Sequence, residues 1–456
     1  MKKLLLIAIT NLLIINSFPF KIFAQEATGP EGSWYGILNI QGVELKIAFH
    51  VKKGESGYTA DMDSPDQSAF GITATSVNYE NSMLRLTIAG AMIEYTAVYT
   101  GDRLMGTFKQ GGLSIPLNMS RRAFESSKRP QEPKKPFPYK SEDVLIVNRV
   151  DSIVLAGTLT LPQSGPVKAA VILISGSGIQ NRDSEIMGHK PFLVLSDYLT
   201  KNGVAVLRYD DRGAGMSGGN PAIATTRDFA TDARAALQYL REREELAMVK
   251  IGMVGHSEGG IIAPMIASEG NYADFMVLLA APAMKGSEII LRQQRLIASG
   301  SGLGEQELDE YEKTSREMFL LIENNRDNPM LFEIVTDFIR KSVPDESESV
   351  IKSQARTVVN PWMIEFLLYD PLPAIQMCNI PALAINGTKD LQVPVENLEI
   401  IGNNYGNKEK IKIVGVDGVN HLFQHSSTGL PSEYSKIEET FSESVIKIIL
   451  EWINKL

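Results

Sequence analysis

Gly255-His256-Ser257-Glu258-Gly259 stands where an apolar run, Ile251-Gly252-Met253-Val254, gives way to the small residues Gly260-Ile261-Ile262-Ala263. That order predicts a strand turning at once into a helix, the context in which a G-x-S-x-G elbow presents a nucleophilic serine. The flanking glycines let the backbone bend tightly and let neighbouring elements approach, so that Ser257 can project its hydroxyl above a sheet. The bare five-residue pattern arises by chance in roughly one of several chains this long, and its weight here comes from the strand before and the helix after. The alternative is a Gly/Ser-rich turn with a capping serine.

The rest of the second half supports a sheet at that place. Strand-like runs are expected at 144–147, 156–161, 169–174, 204–209, 251–254, 275–279, 382–385 and 411–416. Several are continuously apolar, as parallel strands covered on both faces should be. Phe229, Ala233, Ala236, Leu237 and Leu240 form the stripe of an amphipathic helix between two of them. A right-handed strand–helix–strand crossover follows, and with it a doubly wound α/β sheet. One interval is strand-poor: 289–298, 305–323, 330–340 and 349–358 read as helices inserted where ligand sites of such sheets lie. We expect a helical cap at about 285–371. Its Trp362, Met363, Phe366 and Leu367 either line a substrate pocket or pack the cap.

From Gly29 to Arg121 the hydrophobic period changes to two, as Val43, Leu45, Ile47 and Phe49 alternate with Glu44, Lys46, Ala48 and His50. Eight short strands separated by glycine-rich turns predict a small antiparallel barrel or sandwich, opened by Gly32-Ser33-Trp34-Tyr35-Gly36 in a lipocalin-like way. Trp34 reads as a core plug. Residues 123–141 carry Pro130, Pro133, Pro136 and Pro138 among charges, and are expected to be a stiff, exposed linker. Residues 1–24, with Lys2-Lys3 before an apolar stretch and Ala24 at its end, read as a signal peptide, making the mature protein secreted or periplasmic. The expected divisions are therefore 1–24 leader, 25–122 all-β domain, 123–141 linker and 142–456 α/β domain. No later stretch predicts a membrane span. A net charge of −9 without a basic cluster excludes nucleic acid as a natural partner. Cys378, the single cysteine, rules out an intrachain disulfide and reads as a buried small hydrophobe.

A serine hydroxyl needs a base held in one orientation. Of the five histidines, His50 falls on the polar face of the β region, His189 precedes the serine, and His256 adjoins Ser257 within the elbow. His421 and His425 remain, and His421 is preferred because it follows the 411–416 strand at the sheet edge. The orienting acid should lie between nucleophile and histidine in the chain. Asp390, after a strand and before Val393-Pro394, fits that place; it could also be a turn aspartate, and Asp417 is the weaker candidate. Two backbone donors should face the developing oxyanion: the N–H of Glu258, and that of Ser177 in Ser175-Gly176-Ser177-Gly178. The Glu258 carboxylate is expected to point away.

These motifs, with Asn181-Arg182-Asp183, Arg208-Tyr209-Asp210-Asp211-Arg212-Gly213, Gly387…Asp390 and Asn420-His421, resemble the α/β-hydrolase superfamily. The resemblance is nearest to bacterial carboxylesterases with a small N-terminal domain and a G-H-S-E-G-G elbow. It implies hydrolysis of short acyl esters, of small molecules or acylated sugars, through Ser257, Asp390 and His421, with Trp362 and Phe366 in the pocket and neither metal nor organic cofactor. Two other readings stay open: a serine peptidase with the same three residues, and a non-catalytic glycan-binding protein on this fold. Gly213-Ala214-Gly215-Met216-Ser217-Gly218 satisfies a dinucleotide fingerprint formally, but the next helix is expected only near Thr226. Asp61, Asp63 and Asp66 hint at a calcium loop that Pro65 spoils, and read as a solvated turn.

Overall fold

The computed structural model describes residues 29–456 except 41–42, 56, 66–68, 111–112 and 125–127. The expected leader lies outside the described residues, as does Asp66. The N-terminal region is one antiparallel sheet of nine strands: β1 Gly32–Ile40, β2 Val43–Gly54, β3 Gly57–Ser64, β4 Ala69–Thr73, β5 Ser76–Glu80, β6 Met83–Ile88, β7 Ile93–Tyr99, β8 Arg103–Gln110 and β9 Leu113–Ser120. Their order is β4-β3-β2-β1-β9-β8-β7-β6-β5.

The structure has nine strands where eight were expected, because the chain breaks between β4 and β5 at Ala74-Thr75. There, Ala74 N–H donates to Ala60 on β3 at 2.8 Å and Thr75 N–H to Thr87 on β6 at 2.7 Å. Those bonds draw the two edges of the curled sheet together, the barrel rather than the sandwich solution, which removes exposed edges. Trp34 is fully buried, donates its indole N–H to Pro30 O at 2.7 Å, and carries the Arg121 guanidinium 3.6 Å above its ring. Asp61 and Asp63 sit on β3, not in a turn. Asp61 accepts from Lys52 and Thr73; Asp63 accepts from His50 and from Gly71 N–H.

The segment expected to be a stiff, exposed linker lies exposed to half-buried at 128–138 and is anchored there by two side chains. Arg129 donates to the carbonyls of Met187, Gly188, Ser435 and Ile437, while Gln131 bonds the backbone of Thr440 and Phe441. Carbonyls at loop ends need donors, and an arginine fork supplies several at once.

The second sheet comprises β10 Tyr139–Asn148, β11 Ile153–Pro162, β12 Ala169–Ile174, β13 Val204–Tyr209, β14 Lys250–His256, β15 Phe275–Leu279, β16 Ala382–Gly387 and β17 Ile411–Val416, ordered β10-β11-β13-β12-β14-β15-β16-β17. From β13 to β17 the pairings are parallel, but β10–β11 and β11–β13 are antiparallel. The apolar run at 144–147 is thus a half-exposed edge strand: Val144 and Ile146 point inward, Leu145 and Val147 outward. Strands β12 to β16 are buried along nearly their whole length, sealed on one face by α1 Pro191–Lys201 and the C-terminal helix, and on the other by α2 Thr226–Arg241 and α3 Gly259–Glu269.

Between β15 and β16 run α4 Gly286–Gly300, α5 Glu305–Asn324, α6 Leu331–Ser342, α7 Glu348–Val358, α8 Pro361–Leu368 and α9 Leu372–Met377; α10 Asn397–Asn404 and α11 Glu443–Ile453 complete the fold. The α4–α8 insertion lies over the end of the sheet where β14 gives way to α3. Its α8 starts cleanly, with Asn360 Oδ1 accepting Met363 N–H at 2.8 Å and Pro361 in the first turn.

Candidate active site

Ser257 follows β14 with φ +53°, in the left-handed region that a residue with a Cβ enters only at a cost. Its backbone N–H is tied to Leu279 O of the adjacent strand at 2.9 Å. The glycines on either side are demanded by contact. A Cβ on Gly255 would stand 2.1 Å from Gly259 O, and one on Gly259 would stand 2.3 Å from Ile174 O. Strand, elbow and helix can close this tightly only without those side chains.

The loops after β16 and β17 bring Asp390 and His421 to the same end of the sheet. His421 Nδ1–H donates to Asp390 Oδ2 at 2.8 Å, and Asp390 Oδ1 accepts the N–H groups of Gln392 and Val393, both at 2.8 Å. The carboxylate is therefore satisfied although almost wholly buried. With Nδ1 engaged, Nε2 is the imidazole nitrogen left to take a proton. The His421 loop is drawn tight by Asn420, whose Oδ1 accepts from Leu422 and Gln424 N–H at 3.0 Å each. Ser257 and His421 line one pocket of about 240 Å³.

The other histidines are engaged elsewhere. His50 bridges Ser33 and Asp63 on the barrel, and His189 is locked between Thr440 and Tyr434 O. Burial pushes His189 down to about 4. His425 pairs with Glu439. Asp417 accepts from Thr388 instead of reaching the imidazole of residue 421. His256, set aside in the sequence because it adjoins Ser257, lines the pocket and donates Nε2–H to His421 O at 2.9 Å. Burial foremost, then the neighbouring His421, pushes it down to about 3, so it stays neutral and adds no charge beside that imidazole.

On the opposite rim, Gly176 and Ser177 line the pocket, and Glu258 N–H lies at the start of α3, where amides have no intrahelical partner. That helix end favours negative charge. The loop carrying Ser177 is stapled to the end of β13. Arg182 makes a forked pair with Asp210 at 2.7 and 3.1 Å, Asp183 pairs with Arg208, and Asp211 accepts from Ser175 Oγ and Gln180 N–H. Burial pushes Asp211 up to about 8, against the opposing pull of those two donors. The Glu258 carboxylate is buried and accepts from Thr226 and from Trp362.

Trp362, Met363 and Phe366 of α8 line the pocket, with the Trp362 and Phe366 rings stacked at 5.2 Å; Leu367 packs into the core. Sequence reasoning missed the pocket's polar members Gln180, Ser184, Gln293 and Gln392. Gln180 and Ser184 flank Asn181-Arg182-Asp183, so that motif was the available signal for them.

A mainly parallel sheet bearing a serine on a strand–helix elbow, with a carboxylate-bound histidine on later loops and a helical insertion above, is the architecture of an α/β-hydrolase fold. Residues 166–306 match the family described as serine aminopeptidase, S33. Its relatives include Esterase EstD of Thermotoga maritima, 27% identical over 302 residues, a stretch that spans 66% of either chain and so just under two thirds of the relative. Among solved structures, the Pyrococcus furiosus esterase Pf2001 matches with a TM-score of 0.44 at 18% identity, over 70% of this chain and 93% of that one. Est1E from Butyrivibrio proteoclasticus with ferulic acid bound matches at 0.40 and 19%, over 68% and 96%.

Proposed function

We propose that this chain is a serine carboxylic ester hydrolase acting on small neutral esters. Ser257 Oγ attacks the ester carbonyl as His421 Nε2 takes its proton; the imidazolium then gives that proton to the departing alcohol. Water, deprotonated by the same nitrogen, cleaves the acyl-serine to the acid and restores the hydroxyl. Asp390 holds the imidazole's tautomer and offsets its charge, while the amides of Ser177 and Glu258 receive the oxyanion. The observation that carries this reading is the 2.8 Å Asp390–His421 bond presented to the pocket that the strained Ser257 enters.

A peptidase reading is favoured by the description of the matched family. An aminopeptidase, however, must pair the substrate's α-ammonium, and among the described residues lining the pocket there is no aspartate or glutamate. The two are separated by comparing an aminoacyl p-nitroanilide with the matching ester. Ester turnover that persists in Ser257→Ala, or absence of labelling by a fluorophosphonate probe, refutes the proposal. Small esters, acylated sugars among them, suit a pocket with amide and aromatic walls. We further propose export, on residues 1–24; among the described residues no helix is long and apolar enough to cross a membrane. Cell fractionation tests it.

A further inference from the structure

We propose that the Glu258 side chain is a positioning residue that registers the cap helix α8 over Ser257 and so sets which acyl groups the pocket accepts. The proposal rests on the ester-hydrolase reading and concerns the same site. Glu258 Oε1 accepts two hydrogen bonds, from Thr226 Oγ1 at 2.6 Å and from Trp362 Nε1 at 2.8 Å. Thr226 opens α2, Trp362 belongs to the cap, and Glu258 is the residue after the nucleophile. One carboxylate, 2% exposed, thus ties the elbow to the start of α2 and to the cap helix α8.

Burying a carboxylate costs several kcal/mol unless donors surround it, so a buried acid held by an indole is an expensive way merely to pack a cap. Burial holds its protonation upward, against the pull of the Thr226, Trp362 and Ser177 side chains. The bond fixes the Trp362 ring, which stacks on Phe366; both rings face the pocket. The second tie between α8 and α2, Arg227 to Glu365 at 2.8 Å, has an exposed arginine and contributes little. The main chain of residue 258 serves the oxyanion while its side chain serves the cap, so acyl fit and elbow geometry are coupled through one residue.

The test uses the full chain with Trp362→Phe, which keeps a ring and removes the N–H, and Glu258→Gln, which keeps an acceptor oxygen. Amide exchange of residues 361–368 and steady-state kinetics on p-nitrophenyl acetate and p-nitrophenyl benzoate are read together. In Trp362→Phe, exchange across α8 should quicken about tenfold, the effect of losing one buried hydrogen bond. The benzoate-to-acetate ratio of KM should shift by about tenfold while the ratio of kcat moves much less. Glu258→Gln should keep both the protection and the selectivity. Unchanged exchange in Trp362→Phe, or an equal loss on both esters, overturns the proposal. If the wild type turns over neither ester, the hydrolase reading has failed, and exchange alone still decides whether Glu258 holds the cap.

Discussion

Replacing Ser257 with glycine should remove the activity and make the protein more stable. The serine is held at φ +53° by its N–H bond to Leu279 O and by the closed contacts around Gly255 and Gly259. For an L-residue that conformation costs roughly 1–2 kcal/mol, which glycine does not incur. Glycine returns about 0.4–1 kcal/mol of this because it frees the unfolded chain. The net expectation for Ser257→Gly is about 0.5–1 kcal/mol of added stability. Ser257→Ala keeps the Cβ, hence the strain, and should unfold close to wild type. Urea melts followed by tryptophan fluorescence resolve the order, and p-nitrophenyl acetate turnover should fall at least about a thousandfold in both variants. If Ser257→Gly unfolds no later than Ser257→Ala, the elbow stores no strain and the reasoning fails.

Asp390→Asn leaves His421 Nδ1 facing an amide that can present N–H instead of oxygen; kcat should fall by about 10⁴-fold with KM little changed. A loss under tenfold in steady-state assays would remove Asp390 from its role. Asp211 is pushed up to about 8 and carries a proton in the fold at neutral pH, whereas the unfolded chain releases it near 3.9. The fold therefore loses stability as pH rises from about 4 to 8, on the order of 4 kcal/mol by pH 7. Asp211→Asn mimics the protonated acid, so melts at pH 5, 7 and 8 should show a shallower slope; a wild-type slope contradicts this. Gly259→Ala places a Cβ 2.3 Å from Ile174 O and 2.8 Å from Ser175 O, which must push the Ser177 loop outward. Fluorophosphonate labelling should slow by about a hundredfold, the effect of misplacing an oxyanion donor, and a wild-type labelling rate would refute it.

Local patterns carried much of this architecture. Strands β12, β13 and β15 begin and end where their apolar runs do, because central parallel strands bury both faces; β17 also keeps its expected bounds, but as a partly exposed edge strand. The same rule misled at β10, where an apolar run proved to be an antiparallel edge with Leu145 and Val147 exposed. Helix α11 lies outside the expected elements, although Val445, Ile446, Ile449, Leu450 and Ile453 carry the period of a buried stripe. Helix α8 is eight residues and largely apolar, too short for its period to register. The split into β4 and β5 had no local signal, since Ala74 and Thr75 choose partners on opposite edges of the barrel.

The chain order of residues 255–259 is enough to dictate a strand–turn–helix bend, because glycine requirements and apolar period act between neighbours. Which imidazole meets which carboxylate is decided only when two loops meet. His421, His425, Asp390 and Asp417 are chemically equivalent as letters, and the sheet alone sets which pair lies 2.8 Å apart. The partners of the His256, Glu258 and Arg121 side chains are likewise absent from the local pattern, because a hydrogen bond or a stacked cation depends on a group that folding supplies from far along the chain.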